Sequence, residues 1–318
     1  MVIFSSRKKP AKPLETKNRM QTSLECLACF MQQALKTGRL SSRDTSVQHR
    51  VVNEVDRLVS DLDMSLSPPE NAVLVYRLIA AITNENDPFA AAKKKSTELV
   101  LTIRDDVRRR IETADNPLYA AVQFAIASNI IDYGAQHEFD ALETLSRCRE
   151  QEFCIDEFDL FEQEINQYAG PRILYLADNS GEIIFDGLLI EQLLKLGCTV
   201  NMVVREGVIL NDATMKEAEE CGISKLCRVM TSGVICPGTP LDSCSEEIRE
   251  AFRTSDIIIS KGQGNFETLS DVDAPLYFFL TVKCQMVARS IAAMKNISQD
   301  RLRGRGEMIL MRKVTEIC

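Results

Sequence analysis

Residues 172–182 read Arg-Ile-Leu-Tyr-Leu-Ala-Asp-Asn-Ser-Gly-Glu, and this stretch decides the fold. Arg172–Ala177 is a short apolar run of strand length, bounded by a polar turn. Ile183–Leu196 then has helical texture, and Gly197 closes it. A strand that leads through a tight turn into a helix is the unit of a doubly wound sheet. The unit recurs downstream: Thr199–Arg205, Cys227–Met230 and Asp256–Ser260 are predicted strands, with helices near Ala213–Glu220 and over Ser245–Arg253. Leu276–Val282 and Met308–Met311 are further candidate strands. The expected C-terminal half, residues 169–318, is therefore a doubly wound, mostly parallel α/β sheet.

Upstream the texture is helical. Thr45–Met64 places Val51, Val52, Val55, Leu58, Val59 and Leu62 on one face. Pro68-Pro69 opens a second helix through Val73, Val75, Leu78 and Ile82. Asp87-Pro88 and Asn116-Pro117 open two more, through Ile111 and Ile131, and Gly134 stands at a C-cap position. No period-two strand is visible between Ser23 and Gln167. A large all-α domain is expected over residues 21–168. The basic residues 1–20 read as a solvated leader.

Composition bounds the function. The chain has 318 residues, 45% of them hydrophobic and 26% charged, which suits a soluble globular protein with a sizeable core. A net charge of −8 argues against a general nucleic-acid binder, which needs a basic face. With no Trp and 6% aromatics, a base-stacking platform is also disfavoured. No apolar run approaches the length of a membrane span, and no signal-peptide pattern opens the chain. The 11 cysteines follow no framework spacing, so free thiols in a reducing, cytoplasmic setting are expected. Cys26 and Cys29 read as buried or half-buried thiols, because no second pair and no zinc-spaced histidine accompanies them. With only His49 and His137 present, a Ser-His-Asp hydrolase is hard to build.

Open α/β sheets bind ligands beyond the carboxyl ends of their strands. Three loops there carry chemistry. In the first, Asp178 and Asn179 are hard oxygen donors suited to Mg²⁺ or Mn²⁺, Gly181 permits the turn, and Glu182 is a proton acceptor or a partner of the donors. In the second, Asp212 can reach the same ion. In the third, Lys261 ends a strand before Gly262 and Gly264, a plausible phosphate cradle. That loop lacks the P-loop pattern. Each of Asp178, Asn179 and Asp212 also has an ordinary reading as a helix cap.

Taken in order, DNSGE, NDAT ending at Thr214 and SKGQGNFE resemble the metal-dependent damage-control phosphatases, the DUF-eighty-nine family, also named after an acidic-residue methyltransferase. Cys26-Leu27-Ala28-Cys29-Phe30 with Gln33-Ala34-Leu35, Asp87-Pro88-Phe89 with Lys93, and Asn129-Ile130-Ile131-Asp132-Tyr133-Gly134 extend the resemblance over nearly the whole chain. The CxxC pair resembles the mainly prokaryotic branch. The resemblance implies a helical domain on a Rossmann-like domain with one divalent ion (Mg, Mn, Co or Ni) at the junction. It implies Asp178, Asn179 and Asp212 as metal ligands and Lys261 as the residue holding the substrate phosphate. It also implies Asn129 and Asp132 in the stretch that closes over the site. Ser128 and Phe89 depart from the usual Gly and Tyr, which bears on substrate contacts.

The expected activity is a metal-dependent phosphomonoesterase acting on small phosphorylated metabolites, such as sugar phosphates or phosphopantetheine-type damaged compounds. Asp178, Glu182 and Lys261 are the candidate catalytic residues; Lys261, Gly262, Gly264, Asn265, Asn129 and Asp132 are the candidate substrate contacts. Either Asp178 or water attacks phosphorus. Two rivals are an S-adenosylmethionine-dependent carboxylate methyltransferase and a non-catalytic metabolite-binding module. The first usually has several glycines after the first strand, where this chain has only Gly181.

Overall fold

The structure, a computed structural model, describes residues 20–130 and 152–313. Asp132, Gly134 and His137 lie outside the described residues, as do nearly all of the basic segment 1–20 and the end of the predicted helix at Ile131.

Five helices open the described chain: α1 (Leu24–Ser41), α2 (Thr45–Val59), α3 (Pro68–Thr83), α4 (Ala90–Glu112) and α5 (Pro117–Ala127). Their starts follow local chemistry. Asp44 caps α2 by accepting from the Ser46 N–H, and Ser67 with Glu70 forms a capping box ahead of the prolines that start α3. Asn116 caps α5 through the Tyr119 N–H. Helix α2 stops at Val59, short of the predicted Met64, and α5 gives way to a 3-10 turn at Ser128–Ile130.

A seven-stranded sheet follows in the order β1-β7-β6-β5-β2-β3-β4, parallel throughout except for the β6–β7 pair. Its strands are β1 (Ile155–Asp156), β2 (Arg172–Leu176), β3 (Thr199–Val204), β4 (Arg228–Thr231), β5 (Ile257–Lys261), β6 (Leu276–Val282) and β7 (Glu307–Arg312). The helices between them are α6 (Phe158–Gln167), α7 (Ile183–Lys195), α8 (Met215–Glu220), α9 (Glu246–Thr254), α10 (Gln263–Leu269) and α11 (Gln285–Lys295).

Two differences from the sequence reading concern short elements. The expectation of no strand before Gln167 fails at β1, which pairs with Ile309 and Leu310; two residues are too few to show alternation. The stretch 261–267, read as a loop, turns into α10 immediately after Gly262.

The apolar strand runs arise because both faces of the sheet are covered. On β2, Ile173 and Tyr175 join α4, α5, α6 and α7 on one face, while Leu174 and Leu176 join α9, α10 and α11 on the other. Helix α5, apolar nearly all round, is buried between α4, α7 and the sheet. One hydrophobic core thus crosses the chain junction at residues 168–171. A separate cluster, built on Phe30, Val51, Val55, Val75 and Ile79, holds α1–α3 together and includes Ile209 from the loop after β3. Among the described residues, no helix is long and apolar enough to cross a membrane.

Candidate active site

The chain runs outward from β2 to β3 and β4, then returns to β5 on the other side of β2. This reversal is the topological switch point, where the strand ends leave a crevice. The loops after β2, β3 and β5 converge there. The first two are fastened to each other: Ser180 N–H donates to Asn211 O (2.9 Å), Ala213 N–H to Asp178 O (2.8 Å), and Asn179 and Asp212 form a bridge. This fastening is what brings the three candidate ligands Asp178, Asn179 and Asp212 to one place.

Gly262, with φ +76°, lies directly beneath Asp178. A Cβ at this glycine would stand 2.0 Å from Asp178 Oδ2. Its N–H donates to Phe279 O (3.0 Å), so this amide is already used within the protein and the glycine's evident job is to make room for the carboxylate. Gly264 likewise lets the loop after β4 approach, since a Cβ there would meet Pro237 O at 1.8 Å. Asn265 is fully buried. Its Nδ2 donates to Ala177 O (3.1 Å) and Lys261 O (2.8 Å), and its Oδ1 accepts from Arg205 and Thr239. The amide of this expected substrate contact is therefore engaged by protein groups.

Glu182 organises the first loop. Its Oε1 accepts from Asn179 Nδ2 (2.6 Å) and from Asn129 Nδ2. Asn179 Nδ2 also reaches Asp178 Oδ2 (3.2 Å). With the amide nitrogen so occupied, the Asn179 Oδ1 is the atom of this side chain that could hold a cation. Asn129, in the 3-10 turn after α5, is buried, and its Oδ1 has no partner among the described residues. Helix α4 presses on the same loop: a Cβ on Gly181 would stand 2.1 Å from Ser96 Oγ. One turn earlier in α4, Lys93 pairs with Asp87 (2.7 Å) and with Glu217 of α8 (2.9 Å).

Lys261 is 1% exposed, and its ammonium bonds Asp186 Oδ1 (2.6 Å) and lies 3.5 Å from Glu182 Oε2. Burial alone would lower its pKa, but Asp186 and Glu182 override that and hold it above the ordinary value. Tyr175 OH donates to the same Asp186 oxygen (2.7 Å). Burial, and then the Asp212 and Glu182 carboxylates, push the Asp178 carboxyl well above the usual range against the pull of Arg205. Burial raises Asp212 as well, opposed by its hydrogen bond from Arg205 Nε (2.6 Å).

Arg205, Asp186 and Tyr175 are site residues that the sequence reading did not select. Asp186 had a usable signal, since a carboxylate inside the apolar helix IIFDGLLIEQLLK needs a buried partner. Arg205 had a weaker one, a guanidinium closing a buried strand. Of the thiol pair, Cys26 is half-buried and Cys29 is exposed; all the described cysteines are free.

Glu267, in α10, is 8% exposed, and burial pushes its carboxyl up to about 7. In the unfolded chain it ionises near 4.5, so the fold loses stability as pH rises from about 4.5 to about 7 and the loss then levels off. Glu267→Gln keeps an acceptor for Gln263 Nε2 (2.9 Å) and removes the penalty. We expect urea denaturation to find the variant more stable by up to about 3 kcal/mol at pH 8 and no different at pH 4. Equal stability at both pH values would show that Glu267 ionises normally.

A family profile described as Damage-control phosphatase ARMT1-like domain matches residues 22–297. The chain belongs to this family. A damage-control phosphatase of Pyrococcus horikoshii is 31% identical over 280 residues, spanning 87% of this chain and 96% of that one. An uncharacterised protein of Methanocaldococcus jannaschii is 33% identical over 275 residues, spanning 84% and 90%. A damage-control phosphatase of Archaeoglobus fulgidus is 29% identical over 281 residues. The crystal structure of a DUF89 family protein from Pyrococcus horikoshii superposes with a TM-score of 0.83 at 29% identity, covering 93% of this chain and all of that one. The profile match spans the helical half and the sheet strands through β6, and β7 lies beyond it.

Proposed function

We propose that this family member is a metal-dependent phosphomonoesterase acting on small phosphorylated metabolites, including damaged ones. The observation that carries the proposal is the charge at the switch point. Among the described residues, four largely buried carboxyl groups, Asp178, Glu182, Asp186 and Asp212, form direct ion pairs there with two buried cations, Lys261 and Arg205, while Lys283 and Lys93 act on Asp178 and Asp212 from further off. An excess of buried negative charge is costly unless a cation joins it. Asp178 and Asp212 with the Asn179 amide oxygen form an all-oxygen set, which suits a hard divalent ion. Among the described residues, no group of three or more His, Cys, Asp or Glu side chains forms a metal site. The proposed set, two carboxylates and one amide, is sparse and would leave coordination positions for substrate.

When bound, such an ion supplies charge to polarise phosphorus and to orient the phosphoryl group. The residues of the chain do the rest. Asp178, on the crevice side of Gly262, is placed either to attack phosphorus or to take a proton from attacking water. Glu182 fixes the Asn179 amide and links it to Asn129, so that the helical half closes on the loop and excludes water. In this reading Lys261 contributes positive charge from behind Glu182, and Asn265 contributes by holding the loop ends together.

A phosphatase assay across a panel of metabolite phosphates, with and without chelator, tests the proposal. Chelation is expected to abolish turnover, and Mg²⁺, Mn²⁺, Co²⁺ or Ni²⁺ to restore it. Added metal should also raise the melting temperature by mass action. Full turnover in excess chelator would falsify metal dependence.

A further inference from the structure

We infer that Arg205 is a positioning residue that sets the spacing of the Asp178 and Asp212 carboxylates, and with it the affinity of the site for a divalent cation. The inference rests on the metal reading of the preceding section. It assigns a role to a residue outside the set of ligands.

Arg205 is among the largest side chains fully enclosed by the protein, with its guanidinium 2% exposed. It follows β3, and its backbone N–H donates to Ala213 O (2.9 Å), so the residue is fixed to the loop that carries Asp212. The guanidinium reaches every other loop at the crevice. Nε donates to Asp212 Oδ2 (2.6 Å). Nη1 faces three acceptors: Gly238 O (3.0 Å) and Thr239 Oγ1 (3.2 Å) after β4, and Asn265 Oδ1 (3.1 Å) after β5. Nη2 makes no hydrogen bond among the described residues and stands 3.8 Å from Asp178 Oδ1. The planar fork is therefore clamped from behind by two loops, and its remaining edges meet the two carboxylates.

This asymmetry divides the work of the two acids. Asp212 has one oxygen held in a charge-assisted hydrogen bond, which leaves Oδ1 for a cation. Asp178 feels the same charge without a hydrogen bond from it, and remains the freer carboxylate. The two carboxylates act on each other as like charges, which favours their separation in the metal-free protein. A fixed cation between them offsets that repulsion and keeps both in place before metal arrives. Lysine cannot substitute, because an ammonium on a flexible stem cannot hold Asp212, Asn265 and the Gly238 carbonyl in one plane.

Calorimetric titration with Mn²⁺ alone, on the full chain, separates this role from general structural support. Wild type is expected to bind Mn²⁺ and Asp178→Ala to bind none. Arg205→Lys should bind about 10–100-fold more weakly, the usual cost of losing a partner that orients a ligand. Thr239→Val keeps the guanidinium but removes one of its anchors, and should weaken Mn²⁺ binding by about threefold to tenfold, as for one hydrogen bond. It also serves where Arg205→Lys does not fold. Melting of each metal-free variant reports folding separately. A folded Arg205→Lys with wild-type or tighter Mn²⁺ affinity overturns the inference, because Arg205 would then only repel the ion. An unchanged affinity in Thr239→Val overturns the clamp. If wild type binds no Mn²⁺, or Asp178→Ala binds it equally well, the metal reading itself fails and this inference falls with it.

Discussion

Asp178→Ala is expected to lose divalent-ion binding and to lower phosphatase turnover on the order of 10³-fold or more, while making the metal-free protein more stable. The two halves of this expectation have one cause. Asp178 is held in a buried place beside Asp212 and Glu182, where burial and like charge push its carboxyl well above the usual range. An acid whose folded pKa is raised destabilises the fold at every pH above its unfolded value. Removing it therefore relieves the metal-free fold near pH 7 and makes little difference below pH 3. A carboxylate carried at that cost fits the proposed site role better than a helix cap, which needs no buried charge. Paired melting curves and turnover measurements, with and without Mn²⁺, read both halves. A variant that melts earlier without metal and keeps its turnover would return Asp178 to a capping role.

Lys261→Ala is expected to destabilise the protein by about 3–5 kcal/mol, the cost of stripping a partner from buried opposite charges. A lysine held at 1% exposure between Asp186 and Glu182 is a counter-ion of the core as well as a candidate phosphate contact. The sequence pattern alone suggests a lysine whose loss spares folding. The structure changes the expected phenotype, because among the described residues Asp186 Oδ1 keeps Tyr175 OH alone when the ammonium is gone. Adding Asp186→Asn to Lys261→Ala should recover part of the lost stability, since the neutral amide needs no cation. Chemical denaturation of the two single variants and the double variant measures that coupling. An unfolding midpoint unchanged by Lys261→Ala would remove the structural role and leave substrate contact as its whole function.

Much of the site was legible because its residue types are chemically conspicuous. A carboxylate and an amide directly after an apolar run at Asp178-Asn179, an acid after the next run at Asp212, and a lysine closing the Asp256–Ser260 run all signal strand-end chemistry. Their convergence also followed from topology, since strands joined by helices must lie parallel with their carboxyl ends together. What stayed hidden were contacts between residues far apart in sequence. Nothing in Gly262-Gln263-Gly264 distinguishes a phosphate cradle from a glycine that clears space for Asp178. The brevity of β1 hid it for a different reason, because two residues have no period.

By itself the sequence determined most element types, the mostly parallel α/β sheet and which side chains are candidate oxygen donors. These depend on periodicity, caps and side-chain chemistry, which act over a few residues. Only the tertiary structure decided how the charges pair. It set Lys261 against Asp186, 75 positions away, and Glu182 against Asn129, 53 positions away. It also drove Arg205 into the centre of four loops. Buried ion pairing depends on which groups lose water together, and the packing of α4, α5 and α7 on the sheet fixes that.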